Sequence, residues 1–232
     1  MPLIPFFDPT YILVLIGAGI CLIASHSMKK TFEKYGKIRS GTGMTGREVA
    51  ERLLRAGGIH DVQVRHVSGN LSDHYDPRNK TLNLSDATYG AQSVAAIGVA
   101  AHECGHAMQD NTAYVPLGLR SALVPVANFG SMAAWPVIIL GLFIDGDSSI
   151  IFMNIGIILF SAAVLFQIVT LPVEFNASRR ALKALDEQAM LSTEELGMAR
   201  KVLSAAALTY VAGAAAMILQ MLRLVLLRDR RR

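Results

Sequence analysis

Apolar residues along this chain gather into four long blocks, with polar residues filling the spaces between them. Tyr11 to Met28 holds no charged side chain and is followed at once by Lys29, Lys30, Lys34, Lys37 and Arg39. Ser121 to Ile144 is the second block, with Pro125 and Pro136 as expected kinks. The loop Asp145-Gly146-Asp147-Ser148-Ser149 leads into the third, Ile150 to Val173, and the pair reads as a tight transmembrane hairpin. The fourth, Val202 to Leu222, is Ala-rich in its first half and ends in Arg223 and the tail Arg228-Asp229-Arg230-Arg231-Arg232. A helix rises about 1.5 Å per residue and the hydrocarbon layer is about 30 Å thick, so each block has roughly the length of a span.

The polar stretch between the first two blocks has a different rhythm. It opens on a Gly-rich hinge, Ser40-Gly41-Thr42-Gly43. Thr45-Gly46-Arg47-Glu48 has capping-box spacing, and Val49, Leu53 and Leu54 give the following helix one apolar face before Gly57-Gly58 stops it. Val62 to Val67 alternates at period two, as does Thr81 to Leu84, with the turn signal Asp76-Pro77-Arg78-Asn79 between them. Ser85 and Asp86 read as the lead-in to a long helix from about Gln92 to Gln109.

Composition strengthens the membrane reading. The chain is 52% hydrophobic and 17% charged, against about a quarter charged in ordinary soluble domains. The net charge of +4 arises from basic residues flanking the apolar blocks, which fits topology signals and anionic-lipid contacts rather than nucleic acid. Cys21 and Cys104 form no disulfide framework and suit a reducing compartment. Met1-Pro2-Leu3-Ile4-Pro5 lacks the basic start of a secretory signal, so the first block is expected to stay as an anchor. Twelve Lys/Arg residues lie between blocks one and two, five more follow block three by Lys201, and the hairpin loop has none. Basic residues favour the cytoplasmic side, which puts the polar domain there and Asp145 to Ser149 outside. A full fourth span would export the basic tail, so either that block is tilted or re-entrant, or the tail breaks the rule.

The chemistry centres on His102-Glu103-Cys104-Gly105-His106. Histidines four apart stand on one helix face and can take adjacent corners of a zinc tetrahedron. The Glu beside the first of them reaches a metal-bound water as general base and then protonates the departing amine. The flanking Val94, Ala95, Ala96, Ile97, Val99, Ala100 and Ala101 suit a buried helix, and Gly105 would let another backbone approach closely. A catalytic zinc needs a third protein ligand. Glu174 is the candidate, in the first turn of a helix started by Pro172; the other reading is a carboxylate favoured there by the helix dipole. His74, His66, His60 and Asp110 compete, whereas His26 lies at a span end.

The segments Leu71-Ser72-Asp73-His74-Tyr75-Asp76-Pro77-Arg78, Ala100 to Gln109 around the two histidines, and Leu171-Pro172-Val173-Glu174-Phe175 resemble the YugP-type neutral zinc metallopeptidases of bacterial membranes. Ala205 to Val211 is similar to that family's last apolar segment, and the likeness runs from about Gly43 to Leu222. A more distant similarity is to the HtpX-type membrane proteases, which place a hairpin between the two-His helix and a glutamate ligand. The resemblance implies that His102 and His106 bind zinc, Glu103 is catalytic and Glu174 completes the site. Two positions depart from it: Ser178 stands where the HtpX-like relatives carry an Asp, and Cys104 where an aliphatic residue is commoner. Ser178 would orient a ligand histidine more weakly than a carboxylate, and Cys104 reads as a packed small hydrophobe.

The expected architecture is therefore a membrane α-helical protein with an inserted small α+β zincin-like domain of gluzincin type. Its parts are an anchor (1–28), a cytoplasmic domain with the two-His helix (29–120), a hairpin (121–173), a helix with the third ligand (174–201) and an apolar helix with a basic tail (202–232). The expected activity is zinc-dependent peptide hydrolysis at the cytoplasmic face of the bacterial cell membrane, on a peptide or protein substrate. A zinc amidase acting on a non-peptide membrane substrate and a scaffold with structural zinc are the alternatives. Thr81 to Leu84 is expected as an edge strand that could pair with substrate. His74, Tyr75, Tyr89 and Tyr210, together with Thr81 and Asn83, are weaker candidates for substrate or oxyanion contacts. Arg179-Arg180 reads as a lipid-headgroup or structural contact.

Overall fold

A computed structural model describes residues 8–230. The readings placed on Met1 to Pro5 and on Arg231-Arg232 lie outside the described residues. The elements in chain order are α1 (Tyr11–Gly36), α2 (Gly46–Ala56), β1 (Gln63–His66), β2 (His74–Asp76), β3 (Thr81–Leu84), α3 (Val94–Asn111), α4 (Val115–Phe143), α5 (Asp147–Glu187) and α6 (Thr193–Asp229). The described residues are mostly helical, with one small mixed sheet. Among them four helices, α1, α4, α5 and α6, are long and apolar enough to cross a membrane. The residues fall into two compact units.

The apolar unit takes the described residues of Met1–Ser25, Leu119–Leu171 and Thr209–Arg232. Ala134, Ile138, Met153, Ile157, Phe160, Val164 and Leu224 form its core. Its outer face carries Leu15, Leu22, Ile23, Phe129, Met132, Phe143 and Ile158, all exposed. In water such a surface would be an aggregation site; against lipid chains it is an ordinary one. Pro125 and Pro136 stay inside a continuous α4. Interiors of this kind depend on small residues for close approach.

The second unit takes His26–Gly118 and Pro172–Leu208. Thr45 caps α2 through the expected capping box: its hydroxyl accepts from the Glu48 amide at 3.2 Å and Glu48 returns a contact to the Thr45 amide at 2.7 Å. Val49, Leu53 and Leu54 then pack with Leu82 and Leu84 of β3 and Val94, Ile97 and Ala101 of α3. The sheet order is β1-β3-β2, with β3 parallel to β1 and antiparallel to β2. This corrects one expectation. Thr81–Leu84 is the central strand, buried along its whole length, so both its backbone edges are used and it cannot add an extended substrate. Its Leu82 and Leu84 complete the core, whereas β1 is almost wholly exposed.

Two helix starts also differ from expectation. The side chain that caps α3 is Ser93, accepting from the Ala96 amide. Ser85 and Asp86 instead tie down the loop before β2: Ser85 binds Asp73 through its amide and hydroxyl, each at 2.8 Å, and Asp86 accepts from the Gly69 amide at 2.8 Å. Pro172 does not begin a helix either. It sits inside the 41-residue α5, which runs unbroken from the apolar block into the polar unit. Proline removes one backbone hydrogen bond, and here the helix continues on both sides of that loss.

Candidate metal centre

Helices α3 and α5 meet at Gly105. A Cβ built there would stand 2.9 Å from the Ala177 carbonyl carbon and closer still to its oxygen. Only a residue without a side chain permits this approach, and it brings the turn carrying His102 and His106 against the turn carrying Glu174 and Ser178. Gly105→Ala should therefore drive the two helices apart, lowering stability by about 3 kcal/mol or more. A fall in the thermal midpoint together with loss of bound zinc in the purified protein would register both effects.

The nitrogen of each imidazole and one carboxylate oxygen of Glu174 all lie within 4.8 Å of one another. His102 Nε2 is 3.2 Å from Glu174 Oε2, and His106 Nε2 is 3.7 Å from the same oxygen. The two imidazoles stand edge to face, with centroids 4.8 Å apart. His106 and Glu174 are buried. Two imidazoles and one carboxylate converging this way fit zinc, which takes such a set in catalytic sites and leaves a fourth position for water or substrate. Glu174 stands deep within α5, so the dipole of a helix N-terminus does not account for its placement.

A second layer fixes each imidazole. Gln109 donates its amide nitrogen to the Val173 carbonyl at 2.7 Å and to Asn176 Oδ1 at 3.0 Å. Its oxygen, 3.0 Å from His106 Nδ1, must then accept, so His106 carries a proton on Nδ1 and turns Nε2 to the cluster. Arg180 completes the network by donating to Asn176 Oδ1 at 2.8 Å while its guanidinium lies over the Tyr114 ring. Arg180 is thus a structural contact. Ser178, in place of a carboxylate, reaches His102 Nδ1 at 3.1 Å. Gln109 and Asn176 carried no such expectation from the sequence; the one available signal was that Gln109 follows His106 by three residues, on the same helix face. Gln109→Leu should weaken zinc binding about 10–100-fold, with the protein still folded. Competition with a calibrated chelator measures it.

Glu103 is buried beside this cluster. Burial pushes its carboxyl up to about 7, with Glu174 and Asp73 adding to the rise while His102 and His74 oppose it. Cys104 faces the other way: it is fully buried, its sulfur lies 3.6 Å from the Ala50 carbonyl, and burial raises its thiol far above the ordinary range. It packs as a small hydrophobe. Among the competing ligands, Asp110 is held by Tyr75 and Lys80 at 2.7 and 2.6 Å, and His66 pairs with Asp86 at 2.6 Å.

The weaker substrate candidates divide. Thr81 and Asn83 are buried and bonded to each other at 3.1 Å, with Asn83 also reaching His74 Nε2 at 3.2 Å, so their side chains serve the sheet. Tyr75 is taken by Asp110 and Tyr89 by Arg47 and His66. His74 is exposed on the edge strand β2 and contributes to the electrostatics of Glu103. Tyr210 belongs to the apolar unit.

Long apolar helices, and a His–His–Glu cluster in which His106 and Glu174 are buried and a second glutamate is adjacent, are compatible with a membrane protein that holds zinc. The chain belongs to the family described as "Putative neutral zinc metallopeptidase", whose profile matches residues 10–229. It is 45% identical over 215 residues to a Bacillus subtilis (strain 168) protein named "Putative membrane protease YugP", covering 93% of this chain and 94% of that one. No solved structure matches the chain.

Proposed function

We propose that this protein is a multi-pass membrane zinc metalloendopeptidase with a gluzincin-type centre in a zincin-like α+β domain. The observation that carries the reading is the convergence of His102, His106 and Glu174 within 4.8 Å, with Glu103 buried next to them. Bound by these three residues, zinc would supply a Lewis acid that polarises a peptide carbonyl and eases ionisation of water. The protein's own groups do the rest. Glu103 takes the proton from the attacking water and delivers it to the departing amine. Its raised carboxyl suits it to both directions of transfer near neutral pH. Gln109 and Ser178 hold the imidazoles in orientation throughout.

The basic residues flanking the apolar blocks support an active site on the cytoplasmic side, and Glu174 directly follows one of those blocks. The substrate is then a peptide or protein segment at or near the bilayer surface. The test is metal analysis and peptide-library cleavage by the full chain purified in detergent. One zinc per chain, with cleavage stopped by a chelator and restored by zinc, is the expected result. Stoichiometric zinc without cleavage of any peptide would point instead to a non-peptide amide substrate or a structural metal, and no bound metal would sink both.

A further inference from the structure

A cavity apart from the metal cluster opens between α5 and α6 within the polar unit, with a volume of about 410 Å³. Sites for small ligands span about 300–1,000 Å³. Its wall on α5 is one helix face: Phe175, Ser178, Arg179 and Leu182 follow at spacings of three and four. Lys183 extends that wall and Arg200 comes from α6; Lys183 pairs with Glu187 at 3.5 Å, which leaves Arg179 and Arg200 against the one lining carboxylate, Asp186. Arg179 and Arg200 are exposed, and neither has an ion pair or side-chain hydrogen bond among the described residues. Unpaired arginines beside a cavity are suited to an anionic group with several acceptor oxygens.

The place of these residues along their helices says which anion. The apolar block of α5 ends at Val173 and Arg179 lies six residues on, about 9 Å along the axis. The apolar block of α6 begins at Val202, two residues or about 3 Å after Arg200. A headgroup layer adds about 5–8 Å to each side of the hydrocarbon. Arg200 therefore falls at headgroup depth and Arg179 at the outer edge of that layer, where a long side chain can still reach back to a phosphate, and the exposed ring of Phe175 lies on the hydrocarbon side of them.

We infer that this cavity is a binding site for the headgroup phosphate of an anionic phospholipid, with Arg179 and Arg200 as its clamp and Phe175 against the acyl chain. The site does not depend on the peptidase reading. It does share a wall with the metal centre: Ser178 lines the cavity and its hydroxyl stands 3.1 Å from His102 Nδ1, so a bound lipid sits one side chain from a metal-cluster histidine.

The test titrates the full chain in detergent with fluorescent dioleoyl-phosphatidylglycerol. Saturable binding of one lipid per chain is expected, weakened by salt and not displaced by phosphatidylcholine. Arg179→Gln and Arg200→Gln should each weaken it about fivefold and together about 25-fold, while Arg55→Gln on α2 changes nothing. Arg200→Lys should keep most of the affinity, which guards against a variant that merely misfolds. Unsaturable binding, or wild-type affinity in both single glutamine variants, overturns the proposal. Displacement by inorganic phosphate at equal concentration would make the site one for a free anion, and displacement by a Glu-rich peptide would make it a substrate subsite; either result also overturns the lipid assignment.

Discussion

Glu103→Gln is expected to lower peptide hydrolysis by about 10³-fold or more while zinc stays bound at one per chain, since a positioned general base contributes about 10²–10⁴. The amide keeps the size of the carboxylate but cannot take a proton. Glu103 is not among the three groups that converge, His102, His106 and Glu174, so metal affinity should not follow activity down. Stability should not fall either. The native carboxylate is buried near Glu174 and Asp73, and a neutral amide removes that like-charge contact. Zinc content, thermal midpoint and turnover measured on one preparation separate these effects. Residual cleavage near the wild-type rate would assign the base elsewhere, with His74, exposed on β2 and one of the groups that act on Glu103, next in line.

The elements were legible where the physics is local. The capping box at Thr45 and Glu48, the period-two runs that became β1 and β3, and the four apolar blocks each declare themselves within a few residues. The same holds for His102 and His106, because a spacing of four on a helix is geometry already. What failed was relational. Thr81–Leu84 has the same alternation whether it lies at an edge or in the centre, and only the pairing with both neighbours shows that it is central. Pro172 looks like a helix start because the missing amide is cheapest there, yet tertiary packing carries α5 straight through it. The network through Gln109, Asn176 and Arg180 had almost no local signal, since each is an ordinary polar residue until α3 and α5 close at Gly105.

Glu174→Ala is the more demanding case, because it tests a residue whose role rests on geometry 72 positions away in sequence. Zinc affinity should fall by more than the about 10–100-fold that loss of an orienting partner costs, because a ligand itself is removed. Cleavage should disappear with the metal and return in part when excess zinc is supplied. The physical case starts from burial. Glu174 is 2% exposed, and its carboxylate oxygen stands 3.2 and 3.7 Å from the Nε2 atoms of two imidazoles. A buried carboxylate is costly unless donors or positive charge compensate it. A divalent cation between the three side chains satisfies all of them at once, and it turns a costly arrangement into a favourable one. The variant should accordingly lose its dependence on zinc for thermal stability, whereas wild type gains stability as zinc is added. If the alanine variant still binds zinc as tightly as wild type, a different group completes the site, and the closeness of Glu174 to the histidines would then need another cause.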